Sequence, residues 1–270
     1  MAMKRILFIL AAALVTVCAA AQELVIIHFN DTHSHIDPER AGTYMGRGGV
    51  IEQAAYIDSV RSAAGKRNVL LVHAGDFSQG SSYFTELQGD MEIDVLNAMK
   101  FDVVALGNHE FDNGIAELSR RLDNLDAEVV CANYDFTGTV LEDRVKPYTI
   151  VRKAGKKIGI IGLLTDVSKV VDVSIIGGLE YQEPAPVVNE LAAYLRNDRK
   201  CDIVLCLSHL GFVEDKELAA LTSNVDFIIG GHSHTLLDRI HYVEGADGKN
   251  IGVVQNWKWG YNMAYLKIRY

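Results

Sequence analysis

Gly107-Asn108-His109-Glu110-Phe111-Asp112 follows a short apolar run, Val103-Val104-Ala105-Leu106, that reads as a strand. Glycine lets the backbone turn sharply where the strand ends. Asn108 and His109 then project from the turn as potential metal or phosphate groups, and Asp112 follows three residues after His109, near enough to orient an imidazole. Four other clusters repeat the layout of an apolar strand with a polar tip: Asn30-Asp31-Thr32-His33, Gly75-Asp76, Ser208-His209 and Gly230-Gly231-His232-Ser233-His234. One such tip alone is an ordinary surface turn. Five at strand ends are the places where α/β folds assemble sites.

Working outward, strands are expected over 24–29, 68–72, 103–106, 127–131, 203–207 and 227–229. Helices are expected near 50–64, 90–100, 114–125, 186–197 and 215–221. Apolar strands alternating with helices indicate βαβ units whose sheets are covered on both faces. Residues 148–151 and 158–164 read as a hairpin across Gly155-Lys156-Lys157, and 239–243, 252–255 and 263–268 as closing, largely antiparallel strands. With 270 residues, 49% apolar residues, four prolines and no composition break, the chain reads as one α/β domain of two packed sheets flanked by helices.

The first residues read as an export signal. Lys4-Arg5 precede an apolar stretch from Ile6 to Val17, then Ala19-Ala20-Ala21 as a small-residue cleavage site, with Gln22 starting a mature chain of residues 22–270. The apolar stretch is short for a membrane span. A lipid anchor through Cys18 is the alternative, although Val17 is larger than the residue usual before a lipidated cysteine. The expected location is therefore periplasmic or secreted, with no membrane span after signal cleavage.

Formal charge is −9 and becomes −11 without Lys4 and Arg5, which argues against a nucleic-acid surface. It does not exclude a small phosphate ester, because bound divalent cations reverse the local field. Cys131, Cys201 and Cys206 read as buried apolar residues rather than disulfide partners. No dinucleotide or Walker motif stands in its strand–turn–helix context, and Ser81-Ser82 and Ser208 lack a nucleophile elbow.

Divalent ions of hard or borderline character take carboxylate oxygen and imidazole nitrogen. Asp31, His33, Asp76, Asn108, His209, His232 and His234 supply seven such donors, enough for two ions sharing Asp76 with positions left for substrate. Asp31-x-His33 is expected to be extended, with both side chains on one side. Two ions about 3.5–4 Å apart clamp an in-line displacement at phosphorus. His109, oriented by Asp112, suits protonation of a leaving oxygen. His-rich ligation suits Zn, and mixed Asp and Asn ligation also suits Mn or Fe. His28 and His73 read as structural, His35 as an outer group and His241 as surface; Trp257 and Trp259 read as packing or, alternatively, as a stacking surface.

Together, these motifs resemble the calcineurin-like metallophosphoesterases, and Asn30-Asp31-Thr32-His33 with Asn108-His109-Glu110-Phe111-Asp112 resembles the 5′-nucleotidase branch. The resemblance runs from about Leu24 to the C-terminus. It implies a four-layered αββα sandwich of two mixed sheets. It also implies one ion held by Asp31, His33, Asp76 and His234, another by Asp76, Asn108, His209 and His232, and a catalytic dyad of His109 and Asp112. The implied activity is hydrolysis of phosphate monoesters, nucleoside 5′-monophosphates foremost. The alternatives are a phosphodiesterase or 2′,3′-cyclic-nucleotide hydrolase on the same site, or a binder without turnover. Members of that branch carry a second, nucleoside-binding domain after this one, so a separate substrate-binding polypeptide is a further expectation.

Overall fold

The computed structural model describes residues 23–172 and 174–270. The readings of an export signal and a Cys18 anchor lie outside these residues. Strand β1 (Glu23–Phe29) leads through a long loop to helix α1 (Val50–Ala64), then β2 (Val69–His73), α2 (Ser82–Leu87), α3 (Asp90–Met99), β3 (Val103–Ala105), α4 (Gly114–Leu122), β4 (Glu128–Val130) and β5 (Val145–Lys146). The second half runs β6 (Tyr148–Lys153), β7 (Lys156–Leu164), α5 (Pro184–Asn197), β8 (Ile203–His209), α6 (Phe212–Leu221), β9 (Phe227–Gly230), β10 (His241–Glu244), β11 (Asn250–Gln255) and β12 (Ala264–Arg269).

The strands form two six-stranded mixed sheets, ordered β12-β1-β2-β3-β4-β5 and β10-β11-β9-β8-β7-β6. Strand alternation builds the layers directly, because successive side chains point to opposite faces. In β1, Val25, Ile27 and Phe29 pack with α1 residue Ile57, while Leu24 and Ile26 face the other sheet. In β8, Leu205 and Leu207 join that central core, and Val204 and Cys206 turn outward to Val188, Ala192 and Leu195 of α5. Three apolar layers separated by two sheets and covered by helices make an αββα sandwich. Cys131, Cys201 and Cys206 are buried free thiols. Cys201, which precedes β8, and Cys206 within it lie in the same outer core.

Several features depart from the sequence reading, among them strand β5, which was not expected. Strand β11 is parallel to β9, and β12 leaves its neighbours to pair antiparallel with β1, so the two sheets share the chain's last third. Ser208 and His209 are the last residues of β8 rather than its tip. Helix α2 was not expected. Its six residues are too few for an apolar period, and its start is set by Ser81, whose Oγ accepts from Tyr83 N at 3.2 Å. Because β1, β2 and β3 are parallel to one another, as are β8 and β9, their C-terminal ends fall along one edge. All five polar clusters stand there.

Candidate metal centre

The tips pack through their backbones. Asp31 N donates to Gly75 O, His33 N to Asp76 O and Ser34 N to Phe77 O, each at 3.0 Å. Asp31-x-His33 is not extended: φ is 51° at Asp31 and 47° at His33, and the left-handed region recurs at Asp76 (55°), His232 (71°) and His234 (49°). Such residues cost of order 1–3 kcal/mol each and collect where side chains must be aimed. Gly107 meets a different demand. A Cβ there would lie 2.2 Å from Asp76 Oδ1, so only glycine lets the third tip close on the second.

Two donor groups result. Asp31, His33 and His234 bring ligand atoms within 4.8 Å of one another, and so do Asp76, His209 and His232. His33 Nε2 lies 3.0 Å from His234 Nε2 and 3.7 Å from Asp76 Oδ2. His209 Nε2 lies 3.1 Å from Asp76 Oδ2 and 4.0 Å from Asp31 Oδ1. Asn108 Oδ1 joins the second group, 3.0 Å from His232 Nδ1. Asp76 therefore stands between the groups. Beside it His109 Nδ1 meets Asp112 Oδ2 at 2.9 Å, and the His109 ring lies edge-on to His33 with centroids 5.3 Å apart. A third donor group, His33, Asp76 and His109, overlaps both.

The electrostatics call for positive charge between these groups. His209 is buried, and its Nδ1–H donates to Ala74 O at 2.6 Å, because a carbonyl can only accept. That leaves the Nε2 lone pair facing carboxylates, without a hydrogen-bond donor. Burial pulls the His209 pKa down, but the Asp76 carboxylate, helped by Asp31, outweighs it and pushes it up to about 10. Burial alone would raise the Asp76 pKa; His209 and then His33 instead hold its carboxyl well below the usual range. A buried nitrogen lone pair opposed to two buried carboxylates is satisfied by a proton or by a cation. Burial keeps His33 neutral, at about 4 despite Asp76, and lowers His232 as well, so both imidazoles present lone pairs. The donor set thus fits divalent cations of the Zn, Mn or Fe kind.

His28 and His73 are buried, with pKa values lowered by burial to about 4 and about 3; His73 Nε2 meets Thr32 Oγ1 at 3.0 Å, behind the first tip. His35 stacks on Trp259 at 4.3 Å, and Lys258 Nζ sits 4.1 Å from the same ring centroid. Trp257 packs edge-on with Tyr44 and Tyr261. The tryptophans are thus half-buried packing residues, tied to the centre by Trp259 N donating to Asp31 O at 2.7 Å. His241 is exposed.

Two organising residues were not assigned a part from sequence. Fully buried Glu110 accepts from Asp76 N (2.8 Å), Gly107 N (2.6 Å) and Ser78 N (3.0 Å), clamping the second and third tips together. Buried Arg121 donates to Ser78 Oγ at 2.9 Å and to Glu110 O at 2.6 Å, locking the same turn from α4. The signal for Glu110 is its place inside the quoted motif; Arg121 stands outside every motif and carries no such signal. Glu110→Gln removes the charge from the bonds that its remaining oxygen keeps and replaces the other acceptor by an amide N–H that faces backbone donors, so at least one of the three bonds is lost. It should cost about 2–4 kcal/mol in chemical denaturation.

The calcineurin-like phosphoesterase model matches residues 24–236. The snake venom 5′-nucleotidase of Crotalus adamanteus is 31% identical over 95% of this chain and 47% of its own length. The probable 5′-nucleotidase of Treponema pallidum (strain Nichols) is 33% identical over 91% of this chain and 45% of its own. Among solved structures, the 5′-nucleotidase precursor of Thermus thermophilus superposes with a TM-score of 0.81 at 31% identity, over 92% of this chain and 54% of that one. The NAD nucleotidase of Haemophilus influenzae gives 0.81 at 28% identity, over 93% and 48%. The chain spans about half the length of the curated relatives it matches. With the family model covering most of its residues and its polar strand ends converging at one edge of an αββα sandwich, this chain belongs to the calcineurin-like phosphoesterase family.

Proposed function

We propose that the chain hydrolyses phosphate monoesters, nucleoside 5′-monophosphates foremost, with two divalent cations at the strand-end centre. The observation that carries the reading is the convergence of two donor groups on Asp76 with the His109–Asp112 pair alongside. Asp31, His33, Asp76 and His234 would hold one ion, and Asp76, Asn108, His209 and His232 the other. When bound, such ions neutralise phosphoryl charge and acidify water. The chain's own contribution is proton handling and aim. His109 gives its proton to the leaving ester oxygen as the bond from that oxygen to phosphorus breaks and the water oxygen bonds to phosphorus; the proton that the water loses passes to solvent, from which His109 is reprotonated. Asp112 fixes the ring and favours its cationic form. Glu110 and Gly107 keep the tips in register.

Residues 22–270 act in this reading as one catalytic domain, with residues 1–21 as an export leader and the enzyme periplasmic or secreted. Among the described residues no helix is long and apolar enough to cross a membrane. A separate substrate-binding polypeptide finds no support: the relatives carry their unmatched half in the same chain. Diester cleavage is the second reading, because the same donor groups would hold a phosphodiester as well as a monoester.

The test is phosphate release from AMP with added Mn or Zn, run beside p-nitrophenyl phosphate and bis-p-nitrophenyl phosphate. Metal-dependent release from AMP is expected. A preference for the bis ester would replace the first reading with the second, and silence on all three would sink both.

A further inference from the structure

The end of the sandwich remote from the metal centre carries a different surface. The turn Lys66–Asn68 opens β2, and Ala154-Gly155 closes the β6–β7 hairpin. Ala154 N donates to Arg67 O at 2.8 Å, joining the two sheets there. Between them lies a cleft of about 720 Å³ lined by Lys66, Arg67, Asn68, Arg152 and Lys153. It sits at the strands' N-terminal ends, roughly 20 Å from the polar tips at ~3.3 Å per residue.

The charge on this face is unbalanced in a chain of net charge −9. Of the carboxylates nearby, Glu23 is paired with Lys267 and Arg269, Asp102 is paired with Lys153 Nζ at 2.8 Å and takes Leu71 N at 2.9 Å, and Asp202 is held by the backbone N–H of Lys157 at 2.8 Å. Lys66, Arg67 and Arg152 are exposed and have no ion-pair partner among the described residues. Three unpaired cations around one cleft, in an otherwise acidic molecule, make a strongly polarised body.

The position of β1 adds a second, independent observation. Val25 is in register with Val69, so Glu23 emerges beside the Lys66 turn. Residues 1–22 precede it in the chain, so the export leader before cleavage, and equally the alternative Cys18 lipid anchor, are joined to the fold at the same end as the cleft. We propose that this basic face is a docking surface for an anionic phospholipid bilayer, which leaves the metal centre pointing away from the membrane. The occupant follows from charge complementarity, and the side on which the leader or a Cys18 lipid joins the fold agrees with it. Basic groups near an anionic bilayer attract it additively, and salt screens the attraction within about 10 Å at 0.1 M.

Vesicle sedimentation of the purified full chain tests this. Vesicles of phosphatidylglycerol mixed with phosphatidylcholine are compared with phosphatidylcholine alone, so any apolar contribution of residues 6–17 cancels in the difference. Binding should favour the anionic vesicles and fade at high salt. Arg67→Gln with Arg152→Gln should weaken the anionic increment about thirtyfold, and Arg67→Glu with Arg152→Glu about a thousandfold. An unchanged melting midpoint shows that the variants fold; should the Glu pair fail to fold, the Gln pair still decides. Equal binding to both vesicle types, or an anionic increment that survives either folded pair, overturns the proposal. Retention on heparin with no anionic vesicle increment would also overturn it, in favour of a soluble polyanion.

Discussion

Asp76→Ala should lose cation binding and turnover together, with kcat on a phosphate monoester falling about a thousandfold or more, because in the proposed centre the residue would serve both halves of a two-cation clamp. The geometry makes the residue singular. Its Oδ2 lies 3.1 Å from His209 Nε2 and 3.7 Å from His33 Nε2, one imidazole from each donor group, while its Oδ1 accepts from His109 N at 3.0 Å. Removing any other donor leaves the second group whole. Removing Asp76 opens both and frees the backbone of His109. Stability gives a readout apart from activity. A cation that binds only the folded state stabilises it by RT ln(1 + [L]/Kd), about 2.7 kcal/mol at a hundredfold excess over Kd. Wild-type protein should therefore melt at a higher temperature when Mn or Zn is added, and Asp76→Ala should not respond. A variant that keeps both the metal-induced shift and turnover would remove Asp76 from the shared position.

This centre was unusually legible in the sequence because its information is local. Each tip follows its own strand within a few residues, and parallel strands bring their C-terminal ends to one edge whatever the sheet order. Residue type then named the donors, since Asp31, His33, Asp76 and His209 offer carboxylate and imidazole where an apolar strand stops. What stayed hidden depends on partners far apart in the chain. His33 and His234 meet across 201 residues, and Asn30 Nδ2 reaches Trp257 O across 227. Glu110 and Arg121 look like ordinary charged residues until folding buries both, and only then do their bonds to Ser78, Gly107 and Asp76 show what they hold. Backbone strain was also out of reach. Nothing in Asn30-Asp31-Thr32-His33 announces left-handed angles at Asp31 and His33, because those angles are imposed by the Gly75–Phe77 backbone alongside. The crossing of β12 to the first sheet escaped for a simpler reason: alternation identifies a strand but not its partner.

His109→Ala should leave both donor groups and cation binding intact while lowering kcat by about 10²–10⁴, the usual range for loss of a general acid. The His109 imidazole is half-buried, with Nδ1 on Asp112 Oδ2 at 2.9 Å. The Asp112 hydrogen bond raises its pKa above the ordinary histidine value, against the opposing effect of burial and with help from Asp76. The sign of the pH effect follows. A proton donor must be protonated, so a raised pKa carries the active form to higher pH, and the rate falls as pH rises through it. Asp112→Asn removes the main cause of the raise, so the alkaline limb of the kcat profile should move to lower pH while the variant stays active below it. The overlapping group of His33, Asp76 and His109 offers the competing assignment, in which His109 binds a cation instead of carrying a proton. Metal content separates the two. If His109→Ala loses one ion along with its activity, the imidazole is a ligand. If the ions stay, kcat falls and the alkaline limb follows Asp112, it is the acid. An esterified substrate with a very acidic leaving group, which departs without a proton, should then lose far less rate in His109→Ala than an alkyl ester does.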